Sequence, residues 1–422
     1  MLSKGVAQFA GKRVLLLQGP VGPFFHRLAT DLRAAGASVY KVNFNAGDWL
    51  FYPRGAIAYR GTMDEWPTWF DDLLLRLGVD VVMLFGDCRP IHRVAHAVAT
   101  RHGLEIGVFE EGYIRPDYIT LEVCGVNGFS RMSRSPEFYC REAPPTPHTR
   151  PVGRTYWYMV WYGFGYFTMG SLGRPWFRHY QHHRPMSLLE AVPWLRSVWR
   201  KLRYGWQERG IEQRLIGELS GHFYLVPLQV FNDSQVTVHA KVVDIPSFIQ
   251  DVLRSFAAHG PAESVLVFKH HPMDRGYCDY THLITRLADE LGVAERVLYI
   301  HDQHLPSLLD HTRGVVLINS TVGLSALLHG AATKVCGNAL YDMPGLTYQG
   351  PLDDFWAAAP DARPNEGLFR RFRAHLIEYT QLNGSFYKPL PLPGSRAGLV
   401  WRGGDKGVAV IMPKFVAGGR VR

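Results

Sequence analysis

The chain has 422 residues, 47% of them hydrophobic and 20% charged, which excludes a disordered polymer and leaves room for two or three ordinary domains. Its formal net charge of +9 calls for an anionic partner, whether nucleic acid, a phosphorylated substrate or an acidic membrane surface. Five scattered cysteines without a CxxC pair argue against a disulfide framework or a cysteine zinc site and fit reduced thiols in the cytoplasm, and no signal-peptide pattern precedes the first strand.

The first part alternates strand-like and helix-like segments. "RVLLLQGP" (Arg13 to Pro20) predicts a strand ending in a Gly/Pro loop through Gly19, Pro20 and Gly22. That loop lacks the GxGxxG spacing of a dinucleotide site. A helix to Ala35, a strand "ASVYKVNF", a helix "WPTWFDDLLLRLG", a strand "VDVVMLFGD" and a helix "HRVAHAVATRHG" follow. The strand "LEIGVFEEG" then ends in Glu110, Glu111 and Gly112. Adjacent acids on a strand point to opposite faces, so one of the two faces the site and can serve as general acid or base. A solvated strand end is the plain alternative.

From about Ser130 to Gln213 the alternation stops. "REAPPTPHTRPVG" reads as a linker, and Thr155 to Gly173 is uncharged and aromatic. Its glycines and tyrosines suit an interfacial or interdomain element better than a spanning helix. "HYQHH" (His179 to His183) reads as a basic surface patch rather than a metal site.

The alternation then resumes, and three strand ends carry polar groups. "PLQVFNDS" offers Gln229, Asn232, Asp233 and Ser234, and "VLVFKHHPMD" offers Lys269, His270 and His271 before Pro272. "INSTVG" offers Asn319, Ser320 and Thr321 at a helix start. Pro272 cannot continue a strand, so an apolar run delivers an ammonium and two imidazoles to its carboxyl end. Ligands bind at that end of open α/β sheets, and helix starts with hydroxyls suit phosphate. Asp353 and Asp354 are placed in a loop, and no metal motif is found. The fold class expected is α/β, with two Rossmann-like domains facing an interdomain cleft. The boundaries expected are 1–215, with an aromatic and basic insertion at about 150–210, then 216–387, then a tail at 388–422.

Taken in order, "LLLQGPVGPFFHRLA", "EEGYIRPDYITLE", "PLQVFNDSQV", "KHHPMD" and "NSTVGLSAL" resemble the capsule polysaccharide synthesis proteins of the KpsS type. These are similar to the GT-B sialyltransferase and Kdo-transferase group. The resemblance implies a retaining β-Kdo transferase that uses CMP-Kdo and no cofactor or metal. It would place the first Kdo on a (lyso)phosphatidylglycerol-type lipid, beginning the poly-Kdo linker of a capsule. By the same resemblance Asp233 is the nucleophile, and Glu111, or failing that Glu110, handles the acceptor hydroxyl. His271 meets the departing phosphate, with Lys269, Pro272, Gln229, Asn319, Ser320 and Thr321 in the donor site and Gly19, Pro20 and Gly22 on the acceptor side. His270 is the bystander, since adjacent strand residues face opposite ways. The implied place is the cytoplasmic side of a Gram-negative inner membrane, bound peripherally to its anionic surface beside other capsule synthesis and export proteins. Trp157, Trp161, Trp176, Trp194 and Trp199 would sit at headgroup level. A UDP-sugar transferase or epimerase and a non-catalytic export scaffold are the competing readings. Nucleic-acid binding is set aside for want of a recognisable motif.

Overall fold

The structure is a computed structural model that describes residues 5–140, 143–182, 187, 191–231 and 244–401. The N-terminal sheet is built from β1 (Arg13–Leu16), β2 (Ser38–Asn43), β3 (Ile57–Ala58), β4 (Val81–Phe85), β5 (Glu105–Glu111) and β6 (Tyr118–Val123). Helices α1 (Phe24–Ala34), α2 (Ala46–Phe51), α3 (Trp66–Leu77) and α4 (Pro90–Arg101) connect these strands. Strand order is β3-β2-β1-β4-β5-β6-β12, where β12 (Gln381–Asn383) comes from the far end of the chain. β1 to β5 run parallel, β6 is antiparallel to β5, and β12 is antiparallel to β6.

Three helices follow, α5 (Tyr156–Leu172), α6 (Ala191–Gln207) and α7 (Ile211–Ile216). The second sheet contains β7 (Phe223–Pro227), β8 (Val265–Lys269), β9 (Val297–Ile300), β10 (Gly314–Leu317) and β11 (Thr333–Val335), in the order β11-β10-β7-β8-β9. All its pairs are parallel. The connecting helices are α8 (Ile245–His259), α9 (Thr281–Glu290), α10 (Leu305–His311) and α11 (Val322–Leu328), with α12 (Leu352–Ala358) and α13 (Glu366–Thr380) after β11. Every residue of β7 and β8 is buried, as unbroken apolar runs in a doubly covered parallel sheet require. Helix starts are locally encoded: Asp244 accepts the Ser247 amide ahead of α8, and Asn365 accepts that of Leu368 ahead of α13.

Each sheet has a switch point where strand order reverses, between β1 and β4 in the first and between β7 and β10 in the second. Ligands bind at the carboxyl ends of strands at such points. Two doubly wound sheets in one chain are the GT-B arrangement, as expected.

Two expectations are corrected and one omission is made good. The domain boundary at 387/388 falls in the wrong place, because α13 carries the chain back and β12 joins the first sheet. Phe386, Ala397 and Leu399 lie in the first sheet's core with Phe24 and Phe109. The residues up to 401 are therefore part of the first domain rather than a tail. Asp353 and Asp354 are not in a loop but in the first turn of α12, where acidic side chains favour the helix dipole. Finally, β6 and β12 were not foreseen.

Asp31 on α1 holds the returning segment. It is buried, and its carboxylate accepts the Ser395 hydroxyl at 2.7 Å and the amides of Arg396 and Ala397 at 2.6 and 2.9 Å. Asp31→Ala strands these donors and should cost about 3 kcal/mol in urea unfolding. An unchanged urea midpoint would show that the segment is not anchored there.

Candidate active site between two switch points

Side chains alternate along β5. Ile106 and Val108 enter the core beneath α3 and α4, while Phe109 enters the core beneath α1. Glu110 shares the side of Ile106 and Val108, and Glu111 that of Phe109. Glu110 lies beside Gly86, at the end of β4, where an added Cβ would come within 3.4 Å of Oε2. Its Oε1 accepts the Glu111 amide at 3.0 Å. Burial pushes its pKa up to about 7; the Glu111 amide and Arg89 oppose the rise, while the charges of Glu111 and Asp87 add to it. Glu111 instead accepts the Tyr387 hydroxyl at 2.9 Å, tying it to the returning C-terminal segment.

The first switch point is densely bonded. Gln18, buried just after β1, takes the Arg89 guanidinium on its Oε1 at 3.0 Å. Its amide nitrogen donates to the hydroxyls of Tyr180 at 2.7 Å and Tyr166 at 3.0 Å. Arg89 lies 5.3 Å over the Phe85 ring. Gly19 and Gly22 allow close approach, since a Cβ would fall 2.8 Å from the Phe25 ring and 2.7 Å from the Tyr162 ring. Pro20 is buried between them.

The turn after β5 crosses to the second domain. Tyr113 belongs to that domain's core, and with Asn127 it lines a small cavity against Asn319, Thr321, Leu324 and Tyr341. Its hydroxyl donates to Glu122 at 2.7 Å and accepts the Asn127 amide at 2.6 Å. Burial pushes Glu122 up to about 7 as well. Thus Tyr113, the residue after the Glu-Glu-Gly strand end, and the Asn-Ser-Thr helix start, some two hundred residues apart, line one small cavity.

On the second domain, Gln229 spans the switch point by accepting the Asn319 amide at 3.2 Å. Ser320 Oγ accepts the Val322 amide at 3.2 Å, and Thr321 is the residue before α11 without a side-chain cap bond. His271 starts a single 3-10 turn, Pro272–Asp274, and its Nδ1 accepts the Met273 amide at 3.2 Å. A neutral ring held this way carries its proton on Nε2, which makes that edge a donor. Pro272 is exposed at the head of the turn.

Two neighbours are turned inward. Lys269 is buried and donates to the His301 carbonyl at 2.9 Å, and burial lowers its pKa. From the last position of β8 its side chain braces that strand against β9. His270 bonds the Tyr299 hydroxyl through Nδ1 at 2.6 Å, and burial pushes its pKa down to about 3. The bystander expected from alternation is therefore a core residue.

Asp233 lies outside the described residues, as do Asn232 and Ser234. The chain leading to it is fixed by Asp274, which is fully buried and accepts the Phe231 amide at 2.7 Å. Asp274, Gln18, Arg89 and Glu122 escaped the sequence reading. A signal existed for two of them: Gln18 ends an apolar run as Lys269 does, and Asp274 closes a His-Pro turn. Among the described residues no group of three or more His, Cys, Asp or Glu side chains is placed to hold a metal ion.

The raised pKa of Glu110 has a stability consequence. A carboxyl whose folded pKa exceeds its unfolded value near 4.5 stabilises the fold at low pH. That contribution is lost as pH rises through about 7. Glu110→Gln should therefore raise Tm at pH 8 by about 2–4 °C relative to wild type, and by less at pH 5. Equal shifts at both pH values would show that Glu110 is not desolvated.

Residues 80–387 match the family described as "Capsule polysaccharide biosynthesis protein". The capsule polysaccharide export protein KpsS of Escherichia coli is 45% identical over 383 residues, covering 90% of this chain and 97% of that protein. The capsule polysaccharide modification protein LipB of Neisseria meningitidis serogroup B is 39% identical over 397 residues, covering 92% and 94%. Among solved structures, KpsC, beta Kdo 2,7 transferase, of Thermosulfurimonas dismutans is 15% identical, covers 86% of this chain and 95% of that one, and gives a TM-score of 0.41. With the family matched over most of its length, this chain belongs to the capsule polysaccharide biosynthesis proteins of the KpsS type.

Proposed function

We propose that the protein is a retaining β-Kdo transferase, using CMP-Kdo to place the first Kdo on the glycerol of a (lyso)phosphatidylglycerol-type lipid. The reaction would start the poly-Kdo linker of a capsular polysaccharide at the cytoplasmic face of a Gram-negative inner membrane. The observation that carries the reading is Glu110, a carboxyl group whose pKa burial pushes up to about 7, at the end of β5 one strand from the first switch point, ahead of a turn whose Tyr113 packs into the second domain. A base poised near neutrality is what activation of a sugar-accepting hydroxyl requires. The donor identity rests on the resemblance of the Glu-Glu-Gly, His-Pro and Asn-Ser-Thr set to CMP-ulosonic acid transferases.

In this reading Asp233 attacks the anomeric carbon as the bond to the CMP phosphate breaks, giving a glycosyl-enzyme. His271 Nε2–H donates to the phosphate oxygen that leaves. Glu110 then takes the proton of the glycerol hydroxyl as its oxygen displaces Asp233, and two inversions return the β configuration. Gln229 ties the end of β7 to the neighbouring Asn319 amide, and Asp274 holds the amide of Phe231, two residues before the proposed nucleophile in sequence. No metal or cofactor enters any step. Lys269 acts only by bracing the strand.

The test is transfer from CMP-Kdo, generated in situ, to a fluorescent lysophosphatidylglycerol analogue. Wild type should give a single-sugar product. His271→Ala should lose about 10²–10³ in rate, as for loss of one donor at a leaving oxygen, and Asp233→Ala should form no product. A wild type that transfers nothing, and is protected against heat by UDP and not by CMP, would replace this reading with a UDP-sugar enzyme.

A further inference from the structure

Helix α6 is amphipathic, but it docks on the protein by its polar side. Arg200 donates to the carbonyls of Arg275 at 2.9 Å and Cys278 at 3.0 Å and pairs with Asp279 at 3.4 Å. Tyr204 stacks on His301 with ring centroids 3.6 Å apart, and the Ser197 carbonyl accepts Arg275. At roughly 100° per residue these residues share one face. Leu195, Val198, Trp199, Leu202 and Trp206 occupy the opposite face and are 57–72% exposed. A helix of a soluble fold turns its apolar stripe toward the core. Here the stripe faces out.

The stripe continues onto α5. Trp194 of α6 meets Phe167 of α5 at 6.3 Å between ring centroids. α5 exposes Trp157, Trp161 and Phe164 at 57–68%. α5 is held by the first domain, through Tyr166 on Gln18 and Asn45, and by close contact of Gly47 with Tyr166. α6 is held by the second domain, on the segment that follows the His271 turn. One apolar face therefore spans both domains. No described helix is long and apolar enough to cross a membrane.

We propose that α5 and α6 together form a docking face that lies in the headgroup layer of an anionic lipid bilayer and seats both domains on it at once. Charge selects this occupant over a second copy of the chain. Exposed Arg174, Arg178, Lys201 and Arg203 flank the apolar residues, and Glu190 is the sole acid between residues 143 and 207. Two such faces would repel each other, whereas acidic headgroups complement them, with tryptophans at the depth they favour. The proposal deepens the membrane location in the transferase reading, yet binding and transfer are measured separately.

Flotation tests it, using vesicles of phosphatidylglycerol and phosphatidylethanolamine beside vesicles of phosphatidylcholine alone. Wild type should float with the anionic vesicles and at least ten-fold less with the neutral ones. Leu195→Glu with Leu202→Glu should lose at least ten-fold of that binding, keep the wild-type Tm, and keep transfer to the soluble lysophosphatidylglycerol analogue. Leu75→Glu, an exposed apolar residue on α3, should float as wild type does. A double variant that floats undiminished overturns the proposal, as does equal binding to neutral vesicles. A wild type that stays in solution as a dimer which the double variant splits would assign the face to a second copy. Loss of transfer with binding intact would count against the reaction alone.

Discussion

A half-buried carboxyl group at the end of β5, its pKa pushed up by desolvation, is the constraint on which the rest of the site depends. Glu110 is placed by strand alternation on the α3/α4 side, where Gly86 leaves room and Arg89 and Asp87 supply opposing charges. Desolvation dominates and holds it near neutral pKa, whereas Glu111, one residue on, accepts a tyrosine hydroxyl on the other face. The two acids differ in function because the pleat separates them. The turn beyond them ties this carboxyl to the second domain through Tyr113, so both halves of the site share one wall.

The rest of the molecule is arranged around that wall. Backbone-to-side-chain bonds from Gln229 to Asn319 and from Asp274 to Phe231 tie β7 to its two neighbours at their carboxyl ends. The returning segment, clamped by Asp31, supplies Tyr387 to Glu111. The helices between the domains are bonded into both, α5 at the first switch point and α6 behind the His271 turn. The net positive charge of the chain thus has a local cause, a nearly acid-free block from residue 143 to 207.

Much of this was legible in the sequence. The parallel strands and their helices followed from apolar runs broken by Gly and Pro, and "EEG", "KHHP" and "NST" each fall at the carboxyl end of a strand. Alternation foretold that Glu110 and Glu111 diverge and that His270 is turned away. It gave no ground for preferring Glu111 for the acceptor hydroxyl, because which acid is desolvated depends on Gly86 and Arg89, distant in sequence, and these favour Glu110. Lys269 misled for a similar reason: a lysine ending an apolar run looks like a ligand until the His301 carbonyl is found within reach. The short strand "QLN" has no pattern of its own and pairs only because α13 delivers it to β6. The inverted face of α6 also depends on a partner surface no periodicity reveals.

The claim that Glu110 is the base of a transfer reaction is tested most directly by a pH–rate profile. Transfer of Kdo to the lysophosphatidylglycerol analogue would be followed from pH 5.5 to 8.5, with the CMP-Kdo-forming enzyme in excess. The account predicts that wild type and Glu111→Gln both rise through an apparent pKa near 7, while Glu110→Gln is slow and flat. A Glu110→Gln profile like that of wild type, with the rise abolished in Glu111→Gln, would contradict it.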